Sequence, residues 1–308
     1  MNDNIYDVLI IGAGPAGLTA AIYTSRELHK TVVLEKAVAG GLPATTHLIE
    51  NYPGFPEAIA GNELMERIKA QALRFGTELS EFSEVKSLVK EEGIFKTDIG
   101  TRIYESKTVI IASGSAPKVL GIEGEERLRG RGVSYCGICD GPFFAGMDVA
   151  IIGGGNSGLQ EGEFLLKFVK SLTFVEYLPY MPASKILQKR LHDTGKVRFI
   201  VNHEVASIDG DDFVESITIK PRTRHESQKI DVAGVFIYAG FVPNSAFVEG
   251  LAQLDKAGYI LTDERMQTST PGLFAAGDIR SKQIRQITGA TSDGTLAGIF
   301  AGAAIEGH

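Results

Sequence analysis

The stretch Ile11-Gly12-Ala13-Gly14-Pro15-Ala16-Gly17 returns 141 residues later as Ile152-Gly153-Gly154-Gly155-Asn156-Ser157-Gly158. Glu35 follows Gly14 by 21 positions, and Glu176 follows Gly155 by the same 21. One G-x-G-x-x-G is a weak signal. Two in register, each after an apolar run and ahead of an acidic residue, specify two dinucleotide-binding βαβ units. The pattern predicts an α/β protein built from two Rossmann-like, three-layer domains. Between the two copies lies Cys136-Gly137-Ile138-Cys139, which holds both cysteines of the chain.

Around the first copy, Tyr6 to Ile11 reads as a buried parallel strand, apolar and bounded by glycine. Gly12 makes the tight turn, Gly14 lets the backbone approach a pyrophosphate, and Gly17 lets the next helix pack on the strand. That helix, about Ala16 to Glu27, aims its first N–H groups at the phosphates. Thr31 to Leu34 is the second strand, and Glu35 at its end accepts from ribose hydroxyls.

Composition narrows the class. The 308 residues suffice for two domains, and a charged fraction of 22% with 44% hydrophobic residues is that of a soluble globular protein. A net charge of -7 argues against nucleic acid as a partner. No apolar run reaches the roughly 18 residues of a membrane span, and Met1 to Asn4 lack the basic start of a signal peptide, so a cytoplasmic protein is expected. The C-x-x-C pair leaves three readings: a zinc site, which needs four ligands and finds no second pair; two inert buried cysteines; and a redox dithiol, favoured in a reducing compartment. No metal is expected.

These residues, with Gly40-Gly41, Glu50-Asn51-Tyr52-Pro53-Gly54, Ala112-Ser113-Gly114, Cys136 to Gly141, Gly277-Asp278 and Arg285-Gln286, resemble the low-molecular-weight thioredoxin reductases over essentially the whole chain. The resemblance implies a flavoenzyme with FAD in a discontinuous domain of residues 1–115 plus 243–308. A second, NAD(P)-binding-like domain of 116–242 is inserted in it and carries the dithiol, with Pro117 and Gly240 to Pro243 at the crossings. It implies a homodimer whose second domain rotates. It assigns FAD contacts to Gly12, Gly14, Pro15, Ala16, Gly17, Glu35, Lys36, Gly40, Gly41, Leu42, Thr46, Asn51, Val85, Ala112, Gly114, Asp278, Arg285, Gln286 and Ile287. A helix starting near Asp293-Gly294 would point at the flavin. Cys139 would lie next to the flavin, Cys136 would attack the substrate disulfide, and Asp140 would be the general acid/base. Asp140-Gly141 as a plain turn is the alternative. The partner implied is thioredoxin or a similar small dithiol protein.

Two positions depart from the family pattern. Leu42 stands where the family usually has Gln. After the second glycine loop (Gly153, Gly155, Asn156, Ser157, Gly158), the basic run that grips the NADPH 2′-phosphate is replaced by Glu176-Tyr177-Leu178-Pro179-Tyr180-Met181-Pro182. A carboxylate there repels a 2′-phosphate by on the order of several kcal/mol, so NADPH is doubtful. The departure resembles the branch that includes ferredoxin-dependent flavin thioredoxin reductases. It leaves NADH, with Glu176 on its ribose, or reduced ferredoxin, with the second site unused and Tyr177, Pro179, Tyr180 and Pro182 filling or stiffening it. Arg127, Arg129 and Arg131 are a candidate ferredoxin patch or a solvated loop. A flavin dithiol oxidase and a redox sensor without turnover remain as other functions. Glu306-Gly307-His308 is expected to fray.

Overall fold

The computed structural model describes residues 5–223 and 226–307. Along the chain run β1 (Ile5–Ile11), α1 (Pro15–Arg26), β2 (Thr31–Leu34), α2 (Gly61–Arg74), β3 (Glu78–Ser80), β4 (Ser87–Glu91), β5 (Ile94–Asp98), β6 (Ile103–Ile111) and β7 (Ser115–Pro117). Next come β8 (Val133–Ser134), α3 (Gly137–Asp140), β9 (Asp148–Ile152), α4 (Asn156–Leu165), β10 (Ser171–Val175), α5 (Lys185–Asp193), β11 (Val197–Ile200) and β12 (His203–Asp209). The chain closes with β13 (Ser216–Pro221), β14 (Gln228–Asp231), β15 (Gly234–Ile237), β16 (Phe241–Pro243), β17 (Leu273–Ala275) and α6 (Ile287–Glu306). It divides into two compact units, one of the residues up to Ala116 and from Val242 onward, the other Pro117–Phe241. The chain crosses between them in β7 and β16, which pair as a two-stranded ribbon.

In the first unit β1 is apolar on both faces because both are covered. Val8 and Ile10 join the core under α1, α2 and α6, while Leu9 and Ile11 join a second core on the other side of the sheet. The strand order is β3-β2-β1-β6-β5-β4. β6 changes partner along its length: Ile103 to Ser106 run antiparallel to β5, and Val109 to Ile111 run parallel to β17. The ends of β2, β6 and β17 are thus in register with the end of β1, where the glycine loop begins.

α6 begins at Ile287 with Gln286 as its N-cap. The expected start near Asp293-Gly294 is thus corrected by two turns. Asp293 is an interior, buried helical residue whose carboxylate is already taken by Gly277 N–H and Arg280. The expected fraying is corrected as well, since α6 persists to Glu306 and closes on Gly307 in the left-handed conformation, φ 82°. His308 lies outside the described residues.

The second unit has a wholly parallel sheet, β11-β10-β9-β15-β8. α4 and α5 cover one face, and the antiparallel sheet β12-β13-β14 packs on the other core. Both units repeat one close contact. A Cβ on Gly17 would lie 1.9 Å from Gly12 O, and one on Gly158 would lie 2.4 Å from Gly153 O. Only glycine lets α1 and α4 start against the loop that precedes them. Gly17→Ala is therefore expected to destabilise the first unit by at least about 2 kcal/mol, seen as a lowered unfolding midpoint. An unchanged midpoint would contradict this packing.

Candidate functional site

In the first unit the glycine loop is tied down from two sides. Glu35 Oε2 accepts from Ala13 N–H at 2.8 Å and Oε1 from Ala37 N–H at 3.0 Å. Gly40 N–H donates to Ala13 O at 2.9 Å, and Gly41 packs on Gly14 so closely that a Cβ on it would lie 3.1 Å from Gly14 Cα. The structure thus brings Gly12, Gly14, Glu35, Gly40 and Gly41 together at the N-terminus of α1, where Pro15 fills N1 and Ala16 and Gly17 follow. Ala112 O closes against Gly12. Ser83 N–H bonds Glu35 O at 2.7 Å, and Val85 two residues on packs into the second core. Lys36 and Leu42 are exposed, and Thr46 ends the short turn Leu42–Thr45. Gly114 accepts from Asn244 N–H through its carbonyl.

Asn51 and Gln286, 235 residues apart, meet as Asn51 Nδ2 donates to Gln286 Oε1 at 2.9 Å. Ile287 begins α6 beside them in sequence. Asp278 is half-buried with its Oδ1 enclosed, and this desolvation raises its pKa; Lys282 and Arg285 oppose the shift. Its Oδ1 lies 3.4 Å from Lys282 Nζ without hydrogen-bond alignment and has no other partner among the described residues, and Arg285 Nε is likewise buried without a hydrogen bond. Lys282 also reaches Asp293 Oδ2 at 3.1 Å, and Arg280 reaches Asp293 Oδ1 at 2.8 Å. The sequence reading missed Arg280 and Lys282, whose signal was their position just after Gly277-Asp278.

The second unit repeats the glutamate clamp. Glu176 Oε2 accepts from Gly154 N–H at 2.6 Å and Oε1 from Leu178 N–H at 2.8 Å. The following segment folds back on the loop, with Ala183 N–H on Gly154 O and Ser184 N–H on Asn156 Oδ1. Met181 covers Gly154, and Ser157 and Gly158 open α4. Tyr177 and Tyr180 are exposed, so they do not fill the site as expected. Tyr177 instead lies under the Arg222 guanidinium, 3.8 Å from ring centroid to Cζ. Arg127 donates to Asp211 O, while Arg129 pairs with Glu126 and covers Tyr135. These two arginines are engaged within their own unit.

Cys136 and Cys139 form a disulfide, Cα–Cα 5.3 Å, across the start of α3. A disulfide leaves neither sulfur as a free metal ligand. Cys139 N–H points at Cys136 Sγ, 3.2 Å. Ser134 Oγ donates to Asp140 Oδ2 at 2.5 Å and accepts from Cys136 N–H at 3.0 Å, linking Asp140 to the first cysteine. Behind the pair, Tyr238 Oη accepts from Gly137 N–H at 2.9 Å and donates to Glu161 Oε2 at 3.4 Å. Burial pushes the Glu161 carboxyl up to about 7, against the Tyr238 hydroxyl and Gly137 N–H. Neither Glu161 nor Tyr238 was singled out by sequence. Glu161 had a signal: it falls on the buried stripe of α4 with Gly158, Leu159, Gly162 and Leu165.

Residues 6–294 match the family model described as pyridine nucleotide-disulphide oxidoreductase. The chain belongs to the pyridine nucleotide-disulphide oxidoreductases. The oxidoreductase is 42% identical to a thioredoxin reductase of Bacillus subtilis (strain 168) over 296 residues, 96% of this chain and 93% of that one. Its fold superposes on the crystal structure of Lactococcus lactis thioredoxin reductase with a TM-score of 0.96, at 38% identity over 98% of this chain and 100% of the other. For T. acidophilum thioredoxin reductase the TM-score is 0.95, at 38% identity over 99% of this chain and 100% of that one. It is an FAD-dependent disulfide oxidoreductase of the thioredoxin reductase type. Among the described residues no helix is long and apolar enough to cross a membrane.

The raised Glu161 pKa makes stability depend on pH. The folded state holds a proton that the unfolded chain releases above about 4.5, so the stability it supports is present at low pH and lost as pH rises to about 7. Glu161→Gln should remove about 3 kcal/mol of that decline. Urea unfolding of wild type and variant at acid and mildly alkaline pH checks it, and parallel pH profiles would refute it.

Proposed function

We propose that this oxidoreductase reduces the disulfide of thioredoxin or a similar small dithiol protein, with NADH as its electron donor. The observation that carries the first half is the Cys136–Cys139 disulfide with Asp140 held two hydrogen bonds from Cys136 through Ser134. Bound FAD would supply two-electron transfer between the nicotinamide and this disulfide. The first unit fits FAD. The glycine loop is cleared of side chains for a pyrophosphate, Glu35 is oriented for a ribose, and Asp278 Oδ1 is a buried acceptor awaiting a donor such as a ribityl hydroxyl. Asn51, Gln286 and Thr46 would line the same ligand. Once reduced, Cys136 as thiolate would attack the partner disulfide. Asp140 would take the proton from the Cys136 thiol as that thiolate forms and pass it to the leaving thiolate, with Ser134 fixing its carboxylate.

For the donor, the support is Glu176. Its hydrogen bonds copy those of Glu35 atom for atom, one oxygen on the second loop residue and one on the residue two positions ahead. A carboxylate held this way suits a ribose with a free 2′-hydroxyl and repels a 2′-phosphate. That favours NADH over ferredoxin, which needs no intact glycine loop. A second reading rests on Arg222, a cation brought by β13 to Tyr177 next to Glu176. It would serve NADPH by replacing the missing basic run. The relatives at about 40% identity carry no donor in their names, and we take a homodimer in the cytoplasm as the working form.

Stopped-flow mixing of the anaerobic FAD-loaded enzyme with NADH and with NADPH decides between them. NADH should bleach the flavin more than about tenfold faster, and Arg222→Ala should leave that rate unchanged. Faster bleaching by NADPH, lost in Arg222→Ala, would establish the second reading. Bleaching by neither, with bleaching by reduced ferredoxin, would reject both. Cys136→Ser or Cys139→Ser should abolish thioredoxin reduction while leaving flavin bleaching intact, and turnover in either variant would overturn the proposal.

A further inference from the structure

Gly137, the first residue between the two cysteines, has a carboxyl directly behind it. A Cβ added there would lie 2.5 Å from Glu161 Oε2 and 3.3 Å from Tyr238 Oη. Tyr238 Oη joins the two sides, accepting from Gly137 N–H and donating to Glu161. The dithiol turn and the carboxyl are thus one hydrogen-bonded cluster inside the second unit, built from α3, α4 and the residue after β15. The neighbours of Glu161 on its own helix, Gly158, Leu159, Gly162 and Leu165, are buried and uncharged. Burial, the Tyr238 hydroxyl and the Gly137 N–H are what act on Glu161, and no cation among the described residues does. Asp140 bears on the cluster through Tyr238, whose pKa it helps to raise after burial and Glu161 itself. None of these groups has a part in the thiol chemistry proposed above except Asp140.

We propose that Glu161 is a positioning residue for the dithiol that takes up a proton when the Cys136–Cys139 bond is reduced, so that electron and proton uptake are coupled. The inference rests on the reading of Cys136–Cys139 as the working redox pair. The balance is simple. Two electrons from the reduced flavin, or from an added dithiol, break the S–S bond. One sulfur takes a proton as thiol and the other remains a thiolate. The new negative charge sits one residue from an ionised Glu161, which takes up the second proton and becomes neutral. Two electrons and two protons are consumed, with one proton stored on oxygen rather than sulfur. Where Glu161 is already protonated in the disulfide state, the sulfurs alone take up protons. Burial places that boundary near neutral pH.

The test uses the FAD-loaded protein equilibrated with dithiothreitol redox buffers, so neither NADH nor thioredoxin enters. Thiol and disulfide are counted by alkylation and mass spectrometry from about pH 6 to about pH 8.5. The ratio of wild-type to Glu161→Gln equilibrium constants for disulfide reduction should be near one at the acid end. It should fall by about tenfold at the alkaline end, the effect of a one-unit rise in the Glu161 pKa on reduction. A ratio that is the same at both ends would overturn the coupling. A second measurement needs no variant. Infrared difference spectra of wild type labelled with 13C-glutamate, reduced minus oxidised at about pH 8, should show a protonated carboxyl band, and its absence would also overturn it. A disulfide that dithiothreitol cannot reduce at any pH would instead sink the redox role of the cysteines.

Discussion

Twice in this chain a glutamate at a strand end reaches back to the N–H inside a glycine loop, Glu35 to Ala13 and Glu176 to Gly154. Each loop has given up side chains so that a helix can start against it, which leaves backbone donors with nothing of their own to bond. The carboxylate satisfies one of them and fixes the loop before any ligand arrives. It also sets a negative charge where the sugar of a dinucleotide would end. Both the shape of the loop and the charge beside it therefore follow from the same hydrogen bond.

The dithiol has a separate support. Tyr135, immediately before Cys136, donates to Glu125 Oε1 at 2.6 Å. Glu125 is almost wholly buried and also accepts from the N–H groups of Leu120, Gly121 and Ile122. A buried carboxylate with four donors is a rigid post, costly to remove because every donor would be left unpaired. Cys136 is thus fixed from behind by Tyr135 and from the side by Ser134. Cys139 is exposed, and Cys136 and Ile138 are half-buried.

Sequence carried the two loops, the acids that follow them and the cysteine pair because each depends on local spacing along the chain. It carried the start of α1 to within one residue, since Gly14 and Pro15 are themselves the helix-start signal. It failed at α6. The resemblance put its start near Asp293-Gly294, but the first turns, Ile287 to Ser292, contain threonine and glycine, weak helix formers held by packing rather than propensity. It also could not see Arg222 reach Tyr177, because that contact joins the end of β13 to the end of β10 across 45 residues of chain. Glu161 was overlooked for a similar reason. A lone acid on a helix is ordinarily solvated, and although Glu161 falls on the buried stripe of α4, its partner Tyr238, just after β15, lies 77 residues away.

The crowding behind Gly137 bears on how the reducing strength of such a motif can change. The two residues between the cysteines are unequal. The first is buried, and a Cβ there would press on the Glu161 carboxyl and the Tyr238 hydroxyl, whereas Ile138 is half-buried. A side chain larger than hydrogen at the first position therefore requires the Glu161 carboxyl to shift, which ties any change between the cysteines to the acid behind them.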